Sequence, residues 1–90
     1  MSLPSIKSYF NLTDEQENKL TRQQDDILMY IYRHGSITPM EAFHELEITK
    51  LSTRVSEMDA MGIHLDRKYE SGKNRCGRNI RYMRYRRAAA

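Results

Sequence analysis

The stretch TPMEAFHELEITKLSTRVSEMDAMG, residues 38–62, contains the start and end signals of two helices that are joined by a short turn. Thr38 can accept hydrogen bonds from the free amides of a first helical turn, Pro39 suits the first helical position, and Glu41 completes a capping box. These signals predict a helix that begins at Pro39 and ends near Glu47. Its buried side is predicted to consist of Ala42, Phe43 and Leu46.

The second helix of the stretch is predicted at residues 50–61, with Thr49 as its N-cap. Its apolar residues follow one another at spacings of four, three and three, which places them on one side of a helix, and Gly62 suits its end. These apolar residues are Leu51, Val55, Met58 and Met61. Only one or two residues separate this helix from the one before it.

Upstream of this pair, residues 22–34 are predicted to form another helix. TRQQ provides a cap-like start, apolar residues recur at helical spacing up to Tyr32, and Gly35 suits the left-handed position at the end. Residues 1–20 have few apolar groups, although Thr13 and Gln16 form the pattern of a capping box. We expect an arm or a short helix there.

Downstream of Gly62 the apolar period changes from helical to alternating, which predicts two strands joined by a long basic loop, ESGKNRCGR at residues 70–78. The predicted fold class is α+β, mainly α: a three-helix helix-turn-helix core followed by a two-stranded β-hairpin wing. The winged helix-turn-helix domain is expected at residues 21–85, and residues 86–90 are expected to be a disordered tail.

Composition narrows the possible functions. Ninety residues make one small domain, and no apolar run approaches the length of a membrane span or of a secretory signal, so we expect a cytoplasmic protein without a membrane partner. Cys76 is the one cysteine, and its place in a glycine- and arginine-rich stretch favours a small loop residue over a reactive thiol. His34, His44 and His64 lack metal-ligand spacing. We expect no cofactor, no metal and no enzymatic activity.

Charge is distributed unevenly along the chain. Residues 1–62 contain six Lys or Arg against ten Asp or Glu, whereas residues 63–90 contain nine against two. A block this basic is typical of proteins that bind nucleic acid or another polyanion, because a cation placed on a phosphate releases condensed counterions. Tyrosine, isoleucine and methionine interleave the basic residues, which favours a folded element over a solvated tail.

The order of elements suits duplex DNA, with the third helix in the major groove and the hairpin on the backbone or minor groove. If the apolar side of the third helix packs inward, its outward side is small and polar. Glu57 is expected to pair with Arg54, and in that case Arg54 has an orienting role and does not read bases. The candidate DNA-binding residues of the recognition helix are Lys50, Ser52, Thr53, Arg54 and Ser56. Those of the wing are Arg67, Lys68, Lys73, Arg75 and Arg78.

The sequence also permits a different partner. A basic hairpin can dock on an acidic host protein, with interface anchors among Tyr30, Tyr32, Tyr82 and Tyr85, although Tyr32 and Tyr82 are predicted to be core residues. Salt dependence of binding would distinguish the two partners. RNA is a third candidate that has less support, because no aromatic stacking motif of the single-strand-binding type is present. Homodimerisation is open, and the N-terminal arm is a candidate for it.

The segment ITPMEAFHELEITKLSTRVSEMDAMGI, followed by RNIRYM, resembles a small winged helix-turn-helix family common in bacteriophages and prophages. Its members have a first helix that ends in HGSITP and a third helix of the form L-x-x-R-[IV]-x-x-[LM]-x-x-x-G. The resemblance covers residues 20–85 and implies double-stranded DNA binding by the third helix and the wing, as a phage or prophage regulator of transcription or recombination. Glu47 departs from the glycine that such turns often contain.

Overall fold

The computed structural model describes residues 6–88, which form five helices and a three-stranded antiparallel sheet. The helices are α1 (Ile6–Phe10), α2 (Asp14–Lys19), α3 (Arg22–His34), α4 (Pro39–Leu46) and α5 (Leu51–Ala60). The strands are β1 (Ser36–Ile37), β2 (Leu65–Lys73) and β3 (Asn79–Arg87). This α+β fold is consistent with a winged helix. The predicted layout of three helices and two strands is incomplete, because α1, α2 and β1 add to it.

Two short helices occupy the segment that was expected to be an arm or a short helix. The capping box of Thr13 and Gln16 is present and starts α2, as its sequence pattern indicates. Ile6 from α1 and Leu12 from the following turn are buried in the same core as α3. This segment therefore packs against its own chain. Residues 1–5 of the expected arm lie outside the described residues.

Helix α3 has the predicted bounds. Thr21 caps it in a second capping box with Gln24, and Gly35 ends it in the left-handed conformation at φ 91°. Ile27, Leu28 and Ile31 form the centre of the core.

Helix α4 begins as predicted but buries less than predicted. Thr38 and Glu41 form the capping box, and Pro39 occupies the first turn. Ala42 is buried and Leu46 is partly buried, whereas Phe43 is 52% exposed. The predicted burial of Phe43 is therefore wrong. Successive helical residues point about 100° apart, so when Ala42 faces the core the next residue, Phe43, points toward solvent.

Helix α5 packs as predicted but starts differently. Its N-cap is Lys50, which makes no side-chain capping bond, so the prediction of Thr49 as the cap is wrong. The helix begins one residue later than Thr49 would require, at Leu51. Leu51, Val55 and Met58 are buried, and Met61 is only partly buried beyond the helix end.

The strands form a sheet in the order β1-β3-β2. β1 pairs with the end of β3 through Ser36 and Ile37, so the short segment between α3 and α4 is part of the sheet. β2 and β3 pair over all nine residues of each, from Leu65 opposite Arg87 to Lys73 opposite Asn79. The register is continuous.

The hairpin differs from its prediction in three respects. The loop is shorter than the expected residues 70–78, because β2 continues to Lys73 and only the turn of residues 74–78 remains. The buried tyrosine is Tyr85 and not Tyr82, which is only half-buried and lies beside Gly72 across the ladder. Arg86 and Arg87, expected in the tail, belong to β3 because they pair with the start of β2. Residues 89–90 lie outside the described residues.

Within residues 6–88, no helix is long and apolar enough to cross a lipid bilayer.

Candidate nucleic-acid interface

Helix α5 presents a small polar strip to solvent. Three turns of apolar side chains anchor it in the core, and the opposite side carries Ser52, Thr53 and Ser56, all of which are exposed. Lys50 is exposed immediately before the first turn. Such a strip can approach base edges in a major groove about 12 Å wide without a steric conflict.

The turn between α4 and α5 is formed by Glu47 in the left-handed region, at φ 57° and ψ 32°. The amide of Ile48 donates to the carbonyl of Ala42 at 3.0 Å, and the amide of Glu47 donates to that of Phe43 at 3.1 Å. The bond from the left-handed residue to the carbonyl four residues earlier is that of an αL capping motif, whose left-handed position is usually occupied by glycine, and the Ile48 side chain that follows is buried. The chain thus makes the tight turn with a non-glycine residue.

Arg54 is held by other side chains within the protein. Its guanidinium pairs with Glu57 at 3.4 Å, as predicted, and its side chain is 27% exposed. Gln24 of α3 donates to the same carboxylate at 3.2 Å. The Nε of Arg54 is buried and has no hydrogen-bond partner among the described residues. Arg54 therefore neutralises the Glu57 carboxylate, and Glu57 connects α5 to α3 through Gln24.

Asp59 connects the end of α5 to the hairpin. It accepts hydrogen bonds from Arg67 at 2.6 Å and from His64 at 3.1 Å. Burial alone would raise the pKa of Asp59, but the two hydrogen bonds outweigh this and lower it. The Arg67 guanidinium also lies 5.7 Å from the ring centroid of Tyr85. Arg67, predicted to be a wing contact, is thus held at the point where the hairpin leaves the core.

The hairpin has two parts with different surroundings. We call residues 65–70 and 82–87 the hairpin base and residues 71–81 the hairpin tip. Leu65 and Tyr85 are buried in the base, whereas every side chain in the tip is exposed or partly exposed. The tip therefore projects beyond the core.

The turn at the end of the tip is ordered by Asn74. Its side-chain oxygen accepts from the amides of Cys76 at 2.9 Å and Arg78 at 3.0 Å, and its own amide donates to the Arg78 carbonyl. Gly77 takes a left-handed φ of 78° that completes the turn. The predicted contacts Lys73, Arg75 and Arg78 are thereby placed together on a compact turn.

The tip is rich in cations that have no acidic partner among the residues that the structure describes. Its sequence, SGKNRCGRNIR, contains four Lys or Arg and no carboxylate. Lys73, Arg75 and Arg78 are exposed, and none of them forms an ion pair within residues 6–88. Lys68, in the base, is also exposed and lacks such a pair. Cys76 is exposed in the turn, as expected for a small loop residue.

The sequence interpretation missed one pair on the hairpin. The Arg81 guanidinium lies 4.7 Å from the ring centroid of Tyr69, whose side chain is 59% exposed. The register places Arg81 opposite Ser71, diagonally across from Tyr69. The alternation of residues in both strands indicated which side chains share a face of the hairpin. It did not indicate which residues lie opposite each other, because a loop was predicted at residues 70–78 and its length sets the register.

A further arginine is bound within the protein. Arg84 donates to Glu70 at 2.9 Å and to the Ser36 hydroxyl at 2.9 Å, and it lies 3.8 Å from Glu41 of α4. The hydrogen bond from Arg84 lowers the pKa of Glu70. These contacts attach the hairpin base to β1 and α4.

The three histidines, His34, His44 and His64, are all exposed. The described part of the chain contains no group of three or more His, Cys, Asp or Glu side chains placed to hold a metal ion.

Comparison with known protein families gives one match. The sequence model of a family described as a winged helix-turn-helix domain matches residues 22–88, which is most of the chain and includes α3 to β3. No curated protein and no solved structure shows a significant match.

Proposed function

We propose, since the chain belongs to the winged helix-turn-helix domain family, that it binds double-stranded DNA with α5 in the major groove and the hairpin tip on the phosphate backbone. A winged helix-turn-helix domain suggests DNA binding in general and is typically not an enzyme. The observation that carries our proposal is the carboxylate-free tip, in which Lys73, Arg75 and Arg78 are exposed and have no acidic partner within residues 6–88. Free cations of this kind gain most from phosphate.

The electrostatics of α5 support its approach to DNA. Glu57 and Asp59 would repel phosphates, but each pairs with an arginine of the same chain, Arg54 and Arg67. Both arginines consequently act in our proposal as positioning residues, and neither reads bases. This leaves the exposed strip of α5 without an unpaired carboxylate.

The exposed residues of the interface divide into those that would contact bases and those that would contact phosphates. Ser52, Thr53 and Ser56 would contact base edges, and Lys50 would contact a phosphate near the start of α5. Lys68 and the cations of the tip, including Arg81, would contact phosphates beside the groove. We propose residues 21–85 as the DNA-binding unit and the N-terminal helices as its support.

The biological role is proposed from the sequence resemblance. The resemblance to phage and prophage proteins favours a regulator of transcription or recombination that acts in the cytoplasm.

Binding to a labelled mixed-sequence duplex, measured by fluorescence anisotropy from about 50 to 200 mM salt, tests the proposal. The wild-type protein should lose affinity steeply with salt. Alanine at Lys73, Arg75 and Arg78 together should weaken binding to all duplexes alike and make the log–log salt slope shallower by about 2.7, if each side chain neutralises one phosphate. Substitutions at Thr53 or Ser56 should instead change which sequences are selected from a random library.

The matched control is alanine at Lys19, Arg22 and Arg33, which removes the same charge from α2 and α3. If this control reduces the salt slope as much as the tip variant does, binding depends on net charge and the tip is not the contact. Normal DNA binding by the tip variant would exclude the hairpin as the backbone contact.

A second candidate partner is a host protein. Met40 and Phe43 on α4 are 60% and 52% exposed, and Tyr30 lines an open groove between α3 and α4. Exposed apolar residues of this kind occur in protein interfaces. Absence of DNA binding even at low salt would favour this partner, and a pull-down that depends on Phe43 would support it.

A further inference from the structure

Strand β2 has an open edge. It pairs with β3 on one side only, because the order of the sheet is β1-β3-β2. No other described strand pairs with its outer side. An edge of nine residues offers a row of backbone donors and acceptors to a further strand.

The hairpin register indicates which backbone groups are available at this edge. The amide of Asn74 donates to the carbonyl of Arg78, so residues 74 and 78 form a hydrogen-bonded pair. Hydrogen-bonded and non-hydrogen-bonded pairs alternate in an antiparallel ladder. Counting back along the continuous register, Arg67, Tyr69 and Ser71 direct their N–H and C=O groups away from β3.

These three residues lie at the centre of a sequence that is complementary to itself. If a second copy of β2 pairs antiparallel with Tyr69 opposite Tyr69, Lys68 of each copy faces Glu70 of the other, and Arg67 faces Ser71. This register also matches the available backbone groups. Tyr69 faces Tyr69 of the other copy and Arg67 faces Ser71, so each of these residues meets one whose N–H and C=O groups also point outward. We propose that two copies of the chain associate through their β2 edges in this two-fold arrangement.

The side chains on both faces of β2 favour such pairing. Lys68 lies opposite Arg84 of its own chain and has no ion pair within residues 6–88. Glu70 of a second copy, which accepts from Arg84 of that copy through one carboxylate oxygen, would supply a carboxylate to Lys68 through the other. Tyr69 is an exposed aromatic residue at the centre, where its counterpart would cover it. The edge is small, so the dimer should be weak and depend on concentration.

This inference goes beyond DNA binding and does not rest on it. A dimer with this symmetry would present two α5 helices related by a two-fold axis, so its preferred DNA would contain inverted half-sites.

Sedimentation equilibrium of the full chain without DNA, at about 10 µM to 1 mM, tests the pairing. The wild-type protein should change from monomer to dimer over the series. Lys68→Glu places two carboxylates opposite each other at two symmetric positions and should weaken association about tenfold. Combining Lys68→Glu with Glu70→Lys restores opposite charges and should recover most of the wild-type association.

A second variant tests the backbone contribution. Ser71→Pro removes an N–H that points outward and leaves the bonds to β3 intact, so it should abolish association while circular dichroism shows an unchanged fold. Arg33→Glu makes the same charge reversal at an exposed position of α3, and this variant should associate like the wild type. A protein that is monomeric throughout the series overturns the proposal, and so does a dimer that Lys68→Glu and Ser71→Pro leave unchanged.

Discussion

The base and the tip of the hairpin contain similar residues but place them in different surroundings. In the base, Arg67 and Arg84 pair with Asp59 and Glu70, and Tyr85 is buried. In the tip, the cations have no acidic partner among the described residues. The comparison shows that a count of positive charges does not locate a nucleic-acid contact. Arg67 and Arg84 of the base stabilise the fold, and the cations of the tip remain available to a ligand.

The largest expected difference is between two tyrosines on the same face of the hairpin. Tyr85 is 4% exposed and Tyr69 is 59% exposed. Tyr85→Ala should lower the free energy of unfolding by about 3 kcal/mol, because it removes a buried ring and leaves a cavity. Tyr69→Ala should lower it by less than about 1 kcal/mol. Urea denaturation of dilute protein measures both, and equal losses would show that the ring of Tyr69, next to the tip, is packed as tightly as the ring of Tyr85.

A smaller difference is expected between two arginines that stack on tyrosines. Arg67 also pairs with Asp59, whereas Arg81 stacks on the ring of Tyr69 and forms no ion pair within residues 6–88. Arg67→Ala should cost about 1 kcal/mol of folding stability, after allowing for its exposure to solvent, and Arg81→Ala about 0.5 kcal/mol. In anisotropy measurements the order should reverse, with Arg81→Ala reducing DNA affinity more. If Arg67→Ala weakens DNA binding without loss of stability, Arg67 is itself a contact.

The smallest effect concerns pH. The pKa of Asp59 is lowered from its ordinary value of 3.8, so this carboxylate stabilises the fold above that value and the contribution disappears as pH falls through the lowered pKa. Asp59→Asn should therefore be less stable than the wild type by up to about 1 kcal/mol at pH 7, and the difference should shrink as pH falls through the lowered pKa. Paired urea titrations at pH 7 and over an acid series measure this.

Glu45→Gln, at an exposed position of α4, is the control for the removal of one carboxylate. A difference between Asp59→Asn and the wild type that stays constant with pH would mean that the hydrogen bonds do not depend on the charge of Asp59.

The helices were predictable where local chemistry determines them. The capping boxes at Thr21 and Thr38 and the terminal glycine at Gly35 are short-range signals, and the bounds of α3 and the start of α4 followed from them. The pair between Arg54 and Glu57 was predictable for the same reason, since three residues along a helix bring side chains together.

The features that the sequence did not predict depend on contacts between distant parts of the chain. β1 forms only because Ser36 and Ile37 meet the end of β3, and α1 is placed by the burial of Ile6. Gly72 suggested a loop, but in the hairpin it lies beside the ring of Tyr82. For the candidate site, sequence could identify the cations but not which of them would be paired, because Arg67 meets Asp59 only in the folded protein.

The turn at Asn74 also bears on the thermodynamics of binding. A flexible arginine-rich loop loses backbone conformational entropy when it is ordered on a ligand, at roughly 1–2 kcal/mol per residue. Here the side chain of Asn74 already accepts hydrogen bonds from two amides of the turn, and Gly77 adopts the left-handed backbone that the turn requires. Most of that entropy is therefore lost during folding, and a partner needs to order only the side chains.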